Sequence, residues 1–357
     1  MSSMTGKNIK ISVFGQSHSE GIGVVIDGLP TGVRLDMDKI YSFMARRAPG
    51  NNAMSTARKE ADMPEILSGL ADGITCGAPL CAVIRNTNTR SGDYSNLKDC
   101  PLPSHADFAA SVRYNSFNDV AGGGHFSGRL TAPLCFAGAV CMQILKDMGI
   151  EIKAHIYSIA GIKDKPFDLV NITDCDIASK EFPVIDDEAG QKMIDRILEA
   201  KAQADSVGGI IECAVTGVDA GYGDPMFDGV ENIIAKNIFA VPAVKGIEFG
   251  NGFGCAEITG SENNDPYRVV DGKVVTSTNN AGGITGGITT GMPIVFRTAI
   301  KPTPSIGKEQ QSVSLSKNEN TELVIKGRHD PCIIQRAVPV IEAVAAMSIL
   351  DIIRETR

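Results

Sequence analysis

The 357-residue sequence predicts an α+β fold, and three observations carry that reading. Short β-branched runs and amphipathic helical runs intermix along the chain, without the regular strand–helix–strand rhythm of a doubly wound parallel sheet. Glycine is abundant, with 38 residues against a usual ~7%. It clusters at 122–124, 208–209, 250–254 and 282–291, which points to loops shaped by backbone rather than to a flexible linker. The stretch AVPVIEAVAAMSILDIIRET (337–356) is apolar nearly all round, as a deeply buried helix must be. No repeat, low-complexity tract or linker interrupts the chain, so residues 1–357 are expected to form one domain.

The elements follow in order. NIKISVF (8–14) and GVVIDG (23–28) read as strands from their β-branched content, joined through GQSHSEG. LDMDKIYSFMARR (35–47) reads as a helix capped by Asp36, with Ile40, Phe43 and Met44 on its apolar stripe. Arg46 and Arg47 sit in its last turn, where cations suit the helix dipole, and Ala48, Pro49 and Gly50 stop it. CAVIRN (81–86) is a further strand. Pro133 to Met148 is a buried helix with proline in its first turn and Gly149 just past its end. Another helix spans about 187–204, with Met193, Ile194, Ile197 and Leu198 on one face; GIIECAVTG (209–217) and PIVFRTAI (293–300) are strands.

Bulk properties narrow the function. At 43% hydrophobic and 21% charged residues the composition is that of a soluble protein, and a net charge of −8 argues against nucleic-acid backbone binding. Nine cysteines without a CxxC pair fit a reducing cytoplasm rather than a disulfide framework. MSSMTGKNIKI has no apolar signal core, and the longest uncharged run, Leu130–Leu145, falls short of the ~20 residues of a membrane span. A cytoplasmic protein without membrane or nucleic-acid partners is expected.

Five histidines exist, and four of them (His18, His105, His125, His329) lie in polar, glycine-punctuated loops, where function concentrates. Histidine donates or accepts a proton near neutral pH. Arg46, Arg47, Arg58, Lys59, Arg129, Lys245, Lys301 and Arg328 cluster in similar loops; in an acidic chain they suggest a small, multiply anionic ligand. GGGHFSGRL (122–130) adds backbone N–H groups ahead of a helix start, an anion site of low specificity. No GK[ST] follows it, so it is not a nucleotide P-loop. GRHDPC (327–332) lacks a second His/Cys pair at ligand spacing, so no metal is expected.

Taken together, these motifs resemble chorismate synthases. FGQSHSEGIGVVIDGLP is similar to the family's T-x-G-E-S-H-G, strand and D-G-x-P turn. RRAPGNNAMSTARKEADMPEILSG, RNTNTRSGDYS, PLPSHAD and GGGHFSGRLTA match its next motifs, followed in family order by DSVGGIIE, AVKGIEFGNGF, NNAGGITGGI, KPTPSI and GRHDPC. The resemblance runs from about residue 5 to 355. It implies a single β-α-β sandwich, with helices layered between antiparallel sheets, assembled as a homotetramer. It implies a carbon–oxygen lyase converting 5-enolpyruvylshikimate 3-phosphate to chorismate and phosphate by anti-1,4-elimination, the last step of the shikimate pathway. The reaction requires reduced FMN. In this compact form of the family, NADPH would act only indirectly, through a separate flavin reductase.

By the same resemblance, His18 assists phosphate departure with Ser17 beside it, His105 lies against the flavin, and Asp330 takes part in removing the ring C6 proton. Arg46, Arg47, Arg129 and Arg328 would bind the substrate's phosphate and carboxylates, with Arg47 also at an NADP contact. The flavin contacts map onto His125, Phe126, Ser127, Pro242, Ala243, Gly286, Lys301, Pro302, Thr303, Pro304, Ser305 and Arg328. Departures from the family pattern concentrate in one loop, where GGGRSSARET reads GGGHFSGRLT: His125 replaces an arginine, Phe126 a serine, Gly128 an alanine and Leu130 a glutamate. Ala53, Ser104 and Gln16 also depart. The altered loop leaves a second reading, a flavin- or nucleotide-binding relative without turnover.

Overall fold

The β-branched runs pair into two antiparallel five-stranded sheets, and the most apolar helices fill the space between them. The computed structural model describes residues 3–48, 62–87, 99–172, 176–325 and 330–355. The first sheet opens with β1 (Met4–Thr5), β2 (Lys10–Gly15) and β3 (Gly21–Asp27). After α1 (Met37–Arg47) come β4 (Pro64–Ser68), the small hairpin β5 (Leu70–Ala71)–β6 (Ile74–Thr75), and β7 (Leu80–Arg85), which inserts between β3 and β4. The register Ile22↔Ile84, Val24↔Ala82 and Ile26↔Leu80 puts six buried apolar side chains on one face.

The chain then runs through α2 (Asp107–Arg113), two 3-10 turns at 121–130 and α3 (Thr131–Asp147). The second sheet begins with β8 (Glu151–Ile159) and β9 (Ile162–Lys163), followed by α4 (Asp187–Ala202), β10 (Gly209–Thr216), α5 (Val230–Ile238) and β11 (Val244–Phe249). A short α6 (Gly260–Asn263) and the hairpins β12 (Tyr267–Val270)–β13 (Lys273–Thr276) and β14 (Ile284–Thr285)–β15 (Ile288–Thr289) precede β16 (Ile294–Ile300). The hairpin β17 (Gln310–Ser314)–β18 (Glu319–Leu323) leads to α7 (Ile334–Glu355). The strand order is β11-β16-β10-β8-β9.

Helix α3 packs on β2, β3 and β7, α7 packs on β8 and β10, and the two helices lie against each other, flanked by α1 and α5. At their crossing, a Cβ on Gly138 would fall inside van der Waals contact of Ala343, so glycine sets how closely they approach. One apolar core runs through the layers, from Ile11 and Val24 through Phe136, Val140 and Ile341 to Ile156 and Ile211. Ala121–Asp147 is long and apolar enough to cross a membrane, but 78% of its most apolar window is buried in this core. The α+β sandwich expected from the sequence is therefore observed. Asp36 caps α1 through the Lys39 amide at 3.1 Å, and Pro133 falls in the first turn of α3, where its missing N–H leaves no bond unmade.

Two polar features tie the layers. The Asp351 carboxylate, near the end of α7, accepts from the backbone amides of Lys7, Asn8 and Ile9 at 3.0, 2.7 and 2.8 Å, clasping the two ends of the described chain. In the second sheet, the fully buried His155 lies between Asp164 (3.0 Å) and Glu212 (2.9 Å). Arg297 Nε donates to Glu212 at 2.8 Å and its guanidinium stacks over Tyr157. Burial is the largest influence on His155 and favours the neutral ring, but the two carboxylates outweigh it and raise its pKa.

Candidate active site

The turn between β2 and β3 presents Ser17 and His18. Ser19 closes it: its hydroxyl accepts from the Gln16 amide at 3.0 Å and sits 2.8 Å from the Gly21 carbonyl. The Ser17 amide donates to the Gly124 carbonyl at 3.1 Å, so this turn and the glycine loop are held together. Gly122, Gly123 and Gly124 have φ of 57°, 81° and 53°, the left-handed region that glycine enters without a Cβ penalty. Space demands glycine as well. A Cβ on Gly122 would land on the His18 ring and 2.8 Å from Ser17 Oγ, while one on Gly123 would lie 3.1 Å from His105 Nε2. The loop is a wall with one histidine against each of two consecutive glycines.

His105 comes from the loop before α2. Its Nδ1 meets Asp107 Oδ1 at 2.5 Å, and the other oxygen of Asp107 accepts from the Leu102 amide at 3.0 Å. The carboxylate therefore fixes the ring and places the proton on Nδ1, leaving Nε2 toward Gly123. Lys301 reaches the same loop by donating to the Ser104 carbonyl.

A cluster of charge backs the histidines. Asp62 pairs with both Arg47 and Arg129, and all three side chains are almost fully buried. Arg47 also donates to Thr131 Oγ1 at 3.0 Å and to the Gly128 carbonyl at 3.3 Å. Asn86 accepts from Arg129 Nε at 3.2 Å and donates to the Gln16 and Ser19 carbonyls at 3.0 and 2.8 Å, joining the cluster to the His18 turn. Arg336 donates to the Arg47 carbonyl and to Asp330 Oδ2, both at 3.0 Å. Burial is the largest influence on Asp62 and favours the acid; the two guanidiniums outweigh it and hold the carboxyl below its ordinary value. Three guanidiniums thus face two carboxylates, a wall suited to an anion.

The family model for chorismate synthase matches residues 9–353. A chorismate synthase of Lancefieldella parvula is 46% identical over 365 residues, covering 98% of this chain and 96% of that protein. One from Pyrococcus abyssi is 45% identical, covering 98% and 96%.

The chain belongs to the chorismate synthase family.

A crystal structure of a chorismate synthase superposes with a TM-score of 0.77 at 26% identity, covering 98% of this chain and 93% of that one. Membership makes the chain a lyase of chorismate and aromatic amino acid biosynthesis.

The family's flavin can be tested against the residues present in this chorismate synthase homologue, and they fit it. Lys301 N donates to the Ala243 carbonyl at 3.0 Å, so Pro242–Ala243 and Lys301–Ser305 form one ledge beside the His105 loop. On it the buried Thr303 hydroxyl has no hydrogen-bond partner among the described residues, a polar group of the kind a bound cofactor would satisfy. Burial, first, and the neighbouring Lys245 push the Lys301 pKa down, and an anion bound beside the two lysines would offset their repulsion. Ser127 caps the turn into Arg129 at 3.3 Å, and Phe126, partly exposed, lies 6.3 Å from Tyr114 between ring centres.

Other expected residues fall elsewhere. Arg46 points away from the cluster, with bonds of 2.6 and 3.2 Å to Glu342, a fully buried carboxylate that needs a counter-charge. Arg47, 4% exposed, spends its guanidinium on Asp62, Thr131 and the Gly128 carbonyl within the cluster. Gly286 turns the β14–β15 hairpin, and no described hydrogen bond joins it to the histidine loops. Both ring nitrogens of His125 meet protein atoms. Arg328 and Ala53 lie outside the described residues. Sequence reasoning missed Asp62, Asn86, Asp107 and Arg336. Asp107 had a signal, the H-x-D spacing to His105.

Proposed function

We propose that this chain is a single-domain, cytoplasmic chorismate synthase that eliminates phosphate from 5-enolpyruvylshikimate 3-phosphate in an anti-1,4 sense. The observation that carries this reading is the placement of His18 and His105 against adjacent glycines, with the Arg47–Asp62–Arg129 cluster behind them. The reaction breaks a ring C–H bond and a C–O bond, re-forms ring unsaturation with the C–H electron pair, and releases one proton and phosphate. Reduced FMN, when bound on the Ala243–Lys301 ledge, supplies the electron density that lowers the barrier to phosphate loss.

The chain's own residues do the rest. His18, with Ser17, protonates or hydrogen-bonds the departing phosphate. Arg129, with Arg47 beside it on Asp62, and by the family resemblance Arg328, supply the positive charge that draws the phosphate and carboxylates. His105, its tautomer set by Asp107, holds a proton acceptor at Nε2 against the flavin side of the pocket. Asp330, oriented by Arg336, accepts the C6 proton. Electrons arrive from a separate flavin reductase, so NADPH acts only upstream. A homotetramer is part of this reading, supported by large apolar side chains left exposed at Phe117, Phe227 and Phe253.

The test is anaerobic phosphate release with reduced FMN and the phosphorylated enolpyruvyl substrate. Turnover is expected in the wild type, with a loss of about 10²-fold or more in His18→Ala and in His105→Ala. Flavin binding without phosphate release in the wild type would instead make the chain a non-catalytic relative.

A further inference from the structure

We propose that His125 is a positioning residue, a latch that pins the glycine loop to the hairpin carrying Ser17 and His18. The inference rests on the catalytic reading of His18. Although the His125 ring is exposed, Nδ1 meets the Gly15 carbonyl at 2.8 Å and Nε2 meets Ser3 Oγ at 2.9 Å. A carbonyl only accepts, so Nδ1 carries a proton. In the neutral ring Nε2 accepts from the Ser3 hydroxyl; in the cation the hydroxyl accepts instead, so the pair of bonds survives either state. The ring spans three segments: residue 3, the end of β2 and the loop that contains Gly122.

Gly15 leads directly into Gln16, Ser17 and His18, and the Ser17 amide is bonded to the Gly124 carbonyl at 3.1 Å. The His125 bond to Gly15 and the Ser17 bond to Gly124 therefore fasten the same two segments at neighbouring points. Gly122 lies beside these fastenings, and the His18 ring fills the place where its Cβ would stand. With no slack there, a small shift of the loop becomes a shift of His18. An imidazole, with nitrogens on opposite sides, fits the gap between Ser3 and Gly15. Both of its ring nitrogens are thereby engaged by the protein.

The deciding experiment combines hydrogen–deuterium exchange of the unliganded chain, FMN affinity and anaerobic phosphate release in His125→Leu, His125→Asn and Ser3→Ala. A latch predicts that His125→Leu raises exchange about tenfold in peptides covering 15–19 and 121–126, and lowers kcat about tenfold with FMN affinity held. His125→Asn, whose amide nitrogen stands near the place of Nδ1, recovers most of both effects; Ser3→Ala falls between. Unchanged exchange, or equal losses of FMN affinity in the Leu and Asn variants, overturns the latch and assigns His125 to the cofactor. If the wild type releases no phosphate, the function proposed above fails while the exchange data still decide the latch.

Discussion

At Gly122 the backbone is left-handed, with φ at 57°, and the direction a Cβ would take is filled by the His18 ring. Gly122→Ala is expected to displace His18 and to add about 1–2 kcal/mol of backbone strain. kcat should fall about 10²-fold, the scale of a misplaced catalytic group. Steady-state kinetics beside a urea titration checks this; a variant with normal kcat would mean that His18 does not work in the position described. At this scale the sequence displayed His18, His105, Arg47 and Arg129 by residue type and loop context. Asp62 and Asn86 were illegible, because their task is to join segments far apart in the chain. Arg46 and Arg47 part company for a simple reason. Neighbours on a helix point about 100° apart, so Arg46 looks like Arg47 in sequence and faces Glu342 in space.

Among the elements, those with strong periodicity matched: α1, α4, β10 and β16 begin and end within a few residues of expectation. β8 escaped notice because His155 and Ser158, both buried, spoil its apolar pattern. α5 escaped because nine residues between a glycine and a proline give too few turns to show a stripe. The His155 knot in β8 makes stability depend on pH in a stated direction. Its pKa is raised from the ordinary 6.5, so its contribution is complete below that value and lost as pH rises through the folded value. Asp62 is lowered from 3.8, so its contribution is present above that value and lost as pH falls through the folded value. Urea midpoints should therefore decline on both sides of a plateau. His155→Gln should flatten the alkaline decline alone; an unchanged alkaline limb in that variant would exclude the knot as its cause.

For the whole molecule, the fold class was legible because strand and helix signals intermix without a βαβ rhythm, whereas the meeting of loops was not. The site draws on positions 17–18, 47, 62, 86, 105–107, 122–129, 301–305 and 330–336, and only the packing of α3 and α7 between the sheets brings these together. The proposed tetramer belongs to this scale. Sedimentation velocity at micromolar concentration should give a species four times the 37.7 kDa chain, and a monomer would show that the exposed phenylalanines serve something else. The clasp of Asp351 on residues 7–9 has a consequence for how the molecule is made. On the ribosome, the opening strands are synthesised hundreds of residues before the carboxylate that fastens them. During elongation α3 follows soon enough to cover the first sheet, but the faces of α3, β8 and β10 that meet α7 stay uncovered, so the nascent chain needs shelter until α7 emerges and the ends can meet.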